Sequence, residues 1–219
     1  AEETGLIGDL SMRVTRKALI EAKSWDPSLS IAINISPTQL KDPWLAQKLI
    51  KLLVETGFPA SRLEVEITES ALFKNLPVAQ NIVSSLKNRG IRVVLDDFGS
   101  GYSSLAHLRA LPFYRIKIDR SFIGSMAMNS ESAAIVSAIA GLGSNLSVPI
   151  TAEGIEDAEI IPQLIDLGCS RGQGWYFGQP TSIEQTRRLL AGKDLIAGRL
   201  SSPAMEGLSV IDANQKLAG

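Results

Sequence analysis

The stretch VVLDDFGSGYSSL (residues 93–105) opens as a β-branched apolar run, sets Asp96 and Asp97 side by side, and breaks into glycine and serine. A short apolar run bounded by turn residues reads as a strand buried on both faces. Two carboxylates at its end repel each other and resist burial, so their placement needs a reason. The placement recurs along the chain. Asn34 closes IAIN, Glu66 and Glu69 sit in EVEITE, Lys117 and Asp119 in IKID, Glu153 and Glu156 in AEGIE, and Gln173 in GQG.

Apolar periodicity predicts strands at 30–36, 62–70, 91–98, 115–122, 148–155 and 171–177. Helices are predicted at 6–23, 42–57, 77–89, 130–146, 157–168 and 182–192, with a short one near 103–110. In the second helix Asp42 is the expected N-cap, Pro43 lies in the first turn and Gly57 is the stop. Strands alternating with helices form a parallel sheet, either doubly wound and open or closed as a (β/α)8 barrel. A barrel usually takes about 250 residues, and six strands are two short of closure. The barrel-type domain is expected over residues 1–192. Residues 193–219 form a C-terminal extension without chemistry, adding a strand or turn around LSVID.

In either architecture the C-terminal ends of the strands share one face, where ligands bind. Residues far apart in the chain are therefore expected on one rim. Lys117 alone cannot balance Glu66, Asp96, Asp97 and Glu153, because like charges disfavour one another's ionised form. Oxygen donors without His or Cys suit Mg²⁺ or Mn²⁺ rather than zinc. Paired ions of that kind serve phosphoryl chemistry, so the residues point to a metal-dependent hydrolase or lyase acting on a phosphate or carboxylate substrate.

Structural roles compete at individual positions. A single strand-end acid is more often a cap or a surface charge. Lys117 could pair with Asp119, Glu64 shares the parity of Glu66 lower on the same strand, and Glu69 could be the first acid of a helix.

The 219 residues are 45% hydrophobic, enough for one large core or two small ones. A formal charge of −1 argues against general affinity for nucleic-acid polymers. Cys169 stands alone, which excludes an intrachain disulfide and fits a reducing compartment. It is expected to be buried, with His107 on the surface of a short helix. No apolar run approaches the ~20 residues needed to span a bilayer, and the acidic opening AEETGLIGDL does not read as a signal peptide. A cytoplasmic location is expected.

With these residues in hand, the chain closely resembles the EAL-domain family of bacterial cyclic-di-GMP phosphodiesterases. The blocks AEETGLI, NISPTQL, LEVEITES, VVLDDFGSGYSSL, IKIDRSFI, TAEGIE and QGWYFGQP carry the resemblance, in that family's order. It implies a TIM-like (β/α)8 barrel with one strand running against the others, and hydrolysis of cyclic di-GMP to linear pGpG with Mg²⁺ or Mn²⁺, two ions in all. Carried over by position, Asn34, Glu66, Asp96 and Glu153 would be metal ligands, and Asp97 would bind the second ion or its water. Lys117 would contact the attacking water or the scissile phosphate. Glu69 would hold the loop after Asp97, while Asp119, Glu156 and Gln173 would support the site. The general base stays open between Glu153 and Lys117. A homodimer and an upstream sensory or cyclase domain are further implications.

Departures from the family pattern are Trp175, where tyrosine is usual, and Gln179, where lysine is usual. The Glu-Ala-Leu segment upstream of AEETGLI is not found. The chain is therefore expected either to start part-way through the family's domain, without its first strands, or to have lost that part. Because the resemblance makes the glutamate of that segment a metal ligand, the 219 residues alone are expected to be inactive or much weaker than a chain extended through it. A competing expectation is a receptor that binds cyclic di-GMP without cleaving it. An unrelated barrel enzyme using Lys117 as base or Schiff-base amine is the third, disfavoured by the cluster of acids.

Overall fold

The computed structural model describes residues 6–73, 75–101, 108, 111–191 and 210–212. The fold is parallel α/β, in two compact units, one running to Tyr114 and taking in a late strand, the other starting at Arg115.

The first unit holds α1 (Ile7–Ala22), β1 (Ser30–Ile35), α2 (Leu45–Thr56), β2 (Leu63–Thr68), α3 (Glu69–Phe73), α4 (Leu76–Asn88) and β3 (Arg92–Phe98). Its sheet runs β1–β2–β3, all parallel. The outer edge of β1 is taken by β7 (Val210–Asp212), also parallel. The strand expected around LSVID thus exists and joins the sheet. Alternation of strand and helix has a local cause. α2 buries Leu45, Ala46, Leu49, Leu52 and Leu53, the i, i+4, i+7 stripe of a helix lying on a sheet. It ends at Gly57 in the left-handed region, φ 65°, with the Phe58 N–H donating to the Leu53 carbonyl at 3.2 Å. Gly90 closes α4 the same way, Ile91 N–H reaching the Leu86 carbonyl. This closure turns α4 straight into β3, while after α2 a 3₁₀ turn at Ala60–Arg62 precedes β2.

Here the helix starts later than expected. Asp42 accepts the Trp44 N–H at 2.9 Å and pairs with Lys48 at 2.7 Å, so it braces the turn before α2. The lysine ammonium and that N–H hold its carboxyl below the usual carboxylate range.

The second unit holds β4 (Arg115–Ile118), β5 (Ile150–Ala152) and β6 (Arg171–Gly172) in a parallel sheet of that order. Its helices are Arg120–Ser125, Ser130–Leu146, Ile161–Asp166 and Ile183–Ala191. Four expectations need correction. The strand predicted over 148–155 is confined to Ile150–Ala152. The strand predicted over 115–122 stops at Ile118, because Asp119 accepts the Ser121 N–H at 2.7 Å and starts a helix. The strand predicted over 171–177 stops at Gly172, and the helix predicted over 157–168 is a 3₁₀ turn followed by six helical residues. Pro162 in its first turn sets that break.

Cys169 is buried, as expected. His107 and all but one residue of the short helix expected near 103–110 lie outside the described residues. No helix among the described residues is long and apolar enough to cross a membrane.

Candidate functional site

In the first unit, strand register builds the site. Asn34 on β1 stands beside Glu66 on β2, and Glu66 stands beside Val94 on β3, two residues before Asp96. Registered neighbours on a parallel sheet project from one face, as do residues two apart on a strand. Asn34, Glu66 and Asp96 therefore share a face. Glu66 is 1% exposed and Asp96 8%.

Asp97 ought to point to the opposite side. It does not, because its backbone enters the left-handed region at φ 53°. A left-handed aspartate is uncommon and costs of order 1 kcal/mol. The turn is held locally: the Asp97 N–H donates to Asp96 Oδ1 at 3.1 Å, and Ser100 Oγ donates to the Asp97 carbonyl at 2.7 Å. One carboxylate oxygen of Asp96 and one of Asp97 consequently lie within 4.8 Å of each other. Two carboxylates so close repel, and a cation between them would relieve the repulsion. Asn34, Glu66, Asp96 and Asp97 offer only oxygen donors, so the donor set fits a hard divalent ion.

Glu69 opens α3, and its Oε2 accepts the Gly99 N–H at 2.9 Å. It is 1% exposed. A Cβ on Gly101 would fall 2.9 Å from Glu69 Oε1, so the loop lies against this carboxylate too closely for a side chain. Below Glu66, the fully buried Glu64 pairs with Arg92 Nη1 at 3.5 Å. Arg92 also donates to Ser30 Oγ at 3.1 Å and lies 4.5 Å from the Tyr114 ring centroid. Sequence reading placed Glu64 on this face but missed Arg92. The signal was an arginine opening an apolar strand one register step from Glu64.

In the second unit, Lys117 on β4 is 3% exposed and its Nζ lies 2.5 Å from Glu153 Oε1. The alternative pairing of Lys117 with Asp119 is not what the structure shows, since Asp119 is engaged by Ser121 at the start of a helix. Glu153 follows β5 directly, and its N–H donates to the Ile118 carbonyl at 3.3 Å.

The loop after Glu153 is stitched to the GQG segment. Gln173 N–H donates to the Ala152 carbonyl, Ile155 N–H to the Gln173 carbonyl, and Tyr176 N–H to the Ile155 carbonyl. Gly174 packs so closely that an added Cβ would lie 2.1 Å from Ile155 O. Gln173 is half-buried, while Glu156 and Trp175 are exposed. From sequence Gly101 signals only a turn, and Gly154 and Gly174 carry no signal; the role of all three is close approach, which composition does not reveal.

Residues 1–180 match the EAL domain family. Among curated relatives, a signalling protein of Caulobacter vibrioides is 44% identical over 84% of this chain and 23% of its own length. The bifunctional diguanylate cyclase/cyclic di-GMP phosphodiesterase MucR of Pseudomonas aeruginosa is 37% identical over 84% of this chain and 28% of its own. The chain thus spans about a quarter of the length of these relatives. Among solved structures, a PaMucR phosphodiesterase–c-di-GMP complex superposes with a TM-score of 0.82 at 37% identity, covering 85% of this chain and 77% of that one. The EAL domain of Mycobacterium smegmatis DcpA gives 0.79 at 32% identity, covering 85% of each chain.

Proposed function

The chain belongs to the EAL domain family, and from that premise we propose that it hydrolyses cyclic di-GMP to linear pGpG in bacterial second-messenger signalling, with Mg²⁺ or Mn²⁺. The observation that carries this reading is the turn at Asp97, which brings its carboxylate to that of Asp96, beside Glu66 and Asn34 on one sheet face. These four would hold the ions, with Glu153 added to the ligand set by family resemblance. Bound there, divalent ions would polarise the phosphodiester and ease deprotonation of water.

The chain's own groups supply the rest. Lys117 offers donors to a phosphoryl oxygen or to the attacking water, and Glu153 holds it in place. In the reaction the water oxygen bonds to phosphorus, one P–O3′ bond breaks, and a proton reaches the departing 3′-oxygen. The base that accepts the water's proton is Glu153 or Lys117. Glu69 fixes the loop that carries Gly99, and Asp119, Glu156 and Gln173 support the segments on either side of Lys117 and Glu153. The same reading includes a homodimer, an upstream sensory or cyclase domain and a cytoplasmic setting.

The test is incubation with cyclic di-GMP and Mn²⁺ or Mg²⁺, followed by chromatographic separation of the nucleotides. Appearance of pGpG, abolished by EDTA and restored by excess metal, is expected from a chain extended upstream through a Glu-Ala-Leu segment, with little or none from the 219 residues alone. Cyclic di-GMP bound by the extended chain but recovered intact would replace hydrolysis with a receptor role.

A further inference from the structure

Thr151 is 3% exposed, and its hydroxyl is buried with no hydrogen-bond partner among the described residues. It sits at the centre of β5, in register with Lys117 on β4 and with Arg171 on β6. Register places these three side chains on one face, and Glu153 reaches Lys117 from two residues further along the same strand path. Lysine and arginine heads only donate hydrogen bonds, whereas a hydroxyl donates one and accepts two. The row therefore sets an acceptor between two donor-only groups. Leaving such a hydroxyl unsatisfied costs roughly 1–3 kcal/mol. Valine, its isostere and a good strand former, would carry no such cost. Buried hydroxyls in native proteins are satisfied by protein or by ordered water.

We infer that Thr151 is a positioning residue for Lys117: its hydroxyl holds a buried water that accepts from the Lys117 ammonium and donates to Thr151 Oγ1. The water has the two polar partners a buried site requires. It holds the ammonium against β5 as a second contact beside Glu153, so that the pair keeps one geometry. Only the kinetic consequence rests on the hydrolytic reading above.

A high-resolution crystal structure of the chain should show an ordered water within hydrogen-bonding distance of both Thr151 Oγ1 and Lys117 Nζ. Thr151→Ser should keep it and Thr151→Val should lose it. In turnover of cyclic di-GMP by a chain extended upstream through a Glu-Ala-Leu segment, Thr151→Val should lower kcat roughly tenfold with KM within about twofold, and Thr151→Ser should restore it. That loss is smaller than the 10²–10⁴ of a direct proton-transfer group because Thr151 acts through another residue. Absence of the water from the unsubstituted chain, or an unchanged kcat in a folded Thr151→Val variant, overturns the inference. If a chain extended upstream through a Glu-Ala-Leu segment turns over no cyclic di-GMP, the hydrolytic reading fails instead, and the water alone decides the role of Thr151.

Discussion

Lys117 Nζ and Glu153 Oε1 lie 2.5 Å apart, with the lysine side chain 3% exposed and the glutamate 13%. A buried ion pair is weak evidence of stability, since both charges are desolvated, but removing one partner exposes the full cost of the other. The asymmetry in burial decides which loss is larger. Glu153→Ala leaves the more deeply buried charge and should destabilise by about 3 kcal/mol, the low end for such breaks. Lys117→Met leaves a carboxylate that still reaches water and should cost less. Urea denaturation of both variants checks this, and equal losses would mean that burial does not set the order. Turnover should fall in both, by roughly 10²–10⁴.

Glu69 and Gly101 should behave as one unit. Glu69→Ala removes a charge-assisted hydrogen bond to the Gly99 N–H, worth roughly 1.5–3 kcal/mol. Glu69→Gln retains an acceptor and should lose much less. Gly101→Ala should reproduce Glu69→Ala, because its Cβ would need the space of Glu69 Oε1 and would push the carboxylate off Gly99. Thermal melts give the readout, at roughly 2–4 °C per kcal/mol for a chain of this size. A Gly101→Ala variant as stable as the parent would separate the two positions.

Gly154 has φ +74°, and an added Cβ would stand 2.6 Å from Arg120 Cβ. Gly154→Ala therefore meets both a left-handed backbone penalty of roughly 1–2 kcal/mol and a backbone-anchored clash. The neighbouring Glu153 should be displaced from Lys117, so turnover should drop more than stability. Measuring kcat and Tm on the same preparation distinguishes this from general destabilisation, in which both would fall together.

Burial raises the Cys169 thiol from 9.0 to about 11. Its folded pKa is raised above the unfolded value, so its ionisation opposes folding only as pH climbs from about 9 towards 11. The parent should lose stability relative to Cys169→Ala across that window and run parallel to it below pH 8. Iodoacetamide should label the native thiol slowly at pH 8 and rapidly in urea. Fast native labelling would contradict the burial.

Alternation of apolar strands and helices determined the parallel architecture, because burial on both sheet faces leaves few other ways to hide VVL, IAI and IKI. The spacing of polar residues likewise set Asn34, Glu66 and Asp96 near strand C-terminal ends, while the register that gives them one face came from the strand pairing itself. Motif blocks fixed the family. What sequence missed was set by one local cap and by one contact between separated segments. The IKIDRSF run reads as one strand until Asp119 and Ser121 form their cap, and GQGWYF reads as another until Gly174 must fold against Ile155.

The choice of partner for Lys117 was likewise open in the chain, where Asp119 is nearer in sequence. Asp119 is spent on a helix start, and β5 delivers Glu153 instead. Asp97 is the sharpest case. Its place at the strand end already puts Asp97 at the site from sequence, although strict alternation would send it away from Asp96. The turn, held by Ser100 and by the Asp96 carboxylate itself, is how the structure brings the two together. Periodicity and composition are local properties and survive in the sequence. Which groups end up within a few ångströms depends on loop closure and packing, and those exist only once the chain has folded.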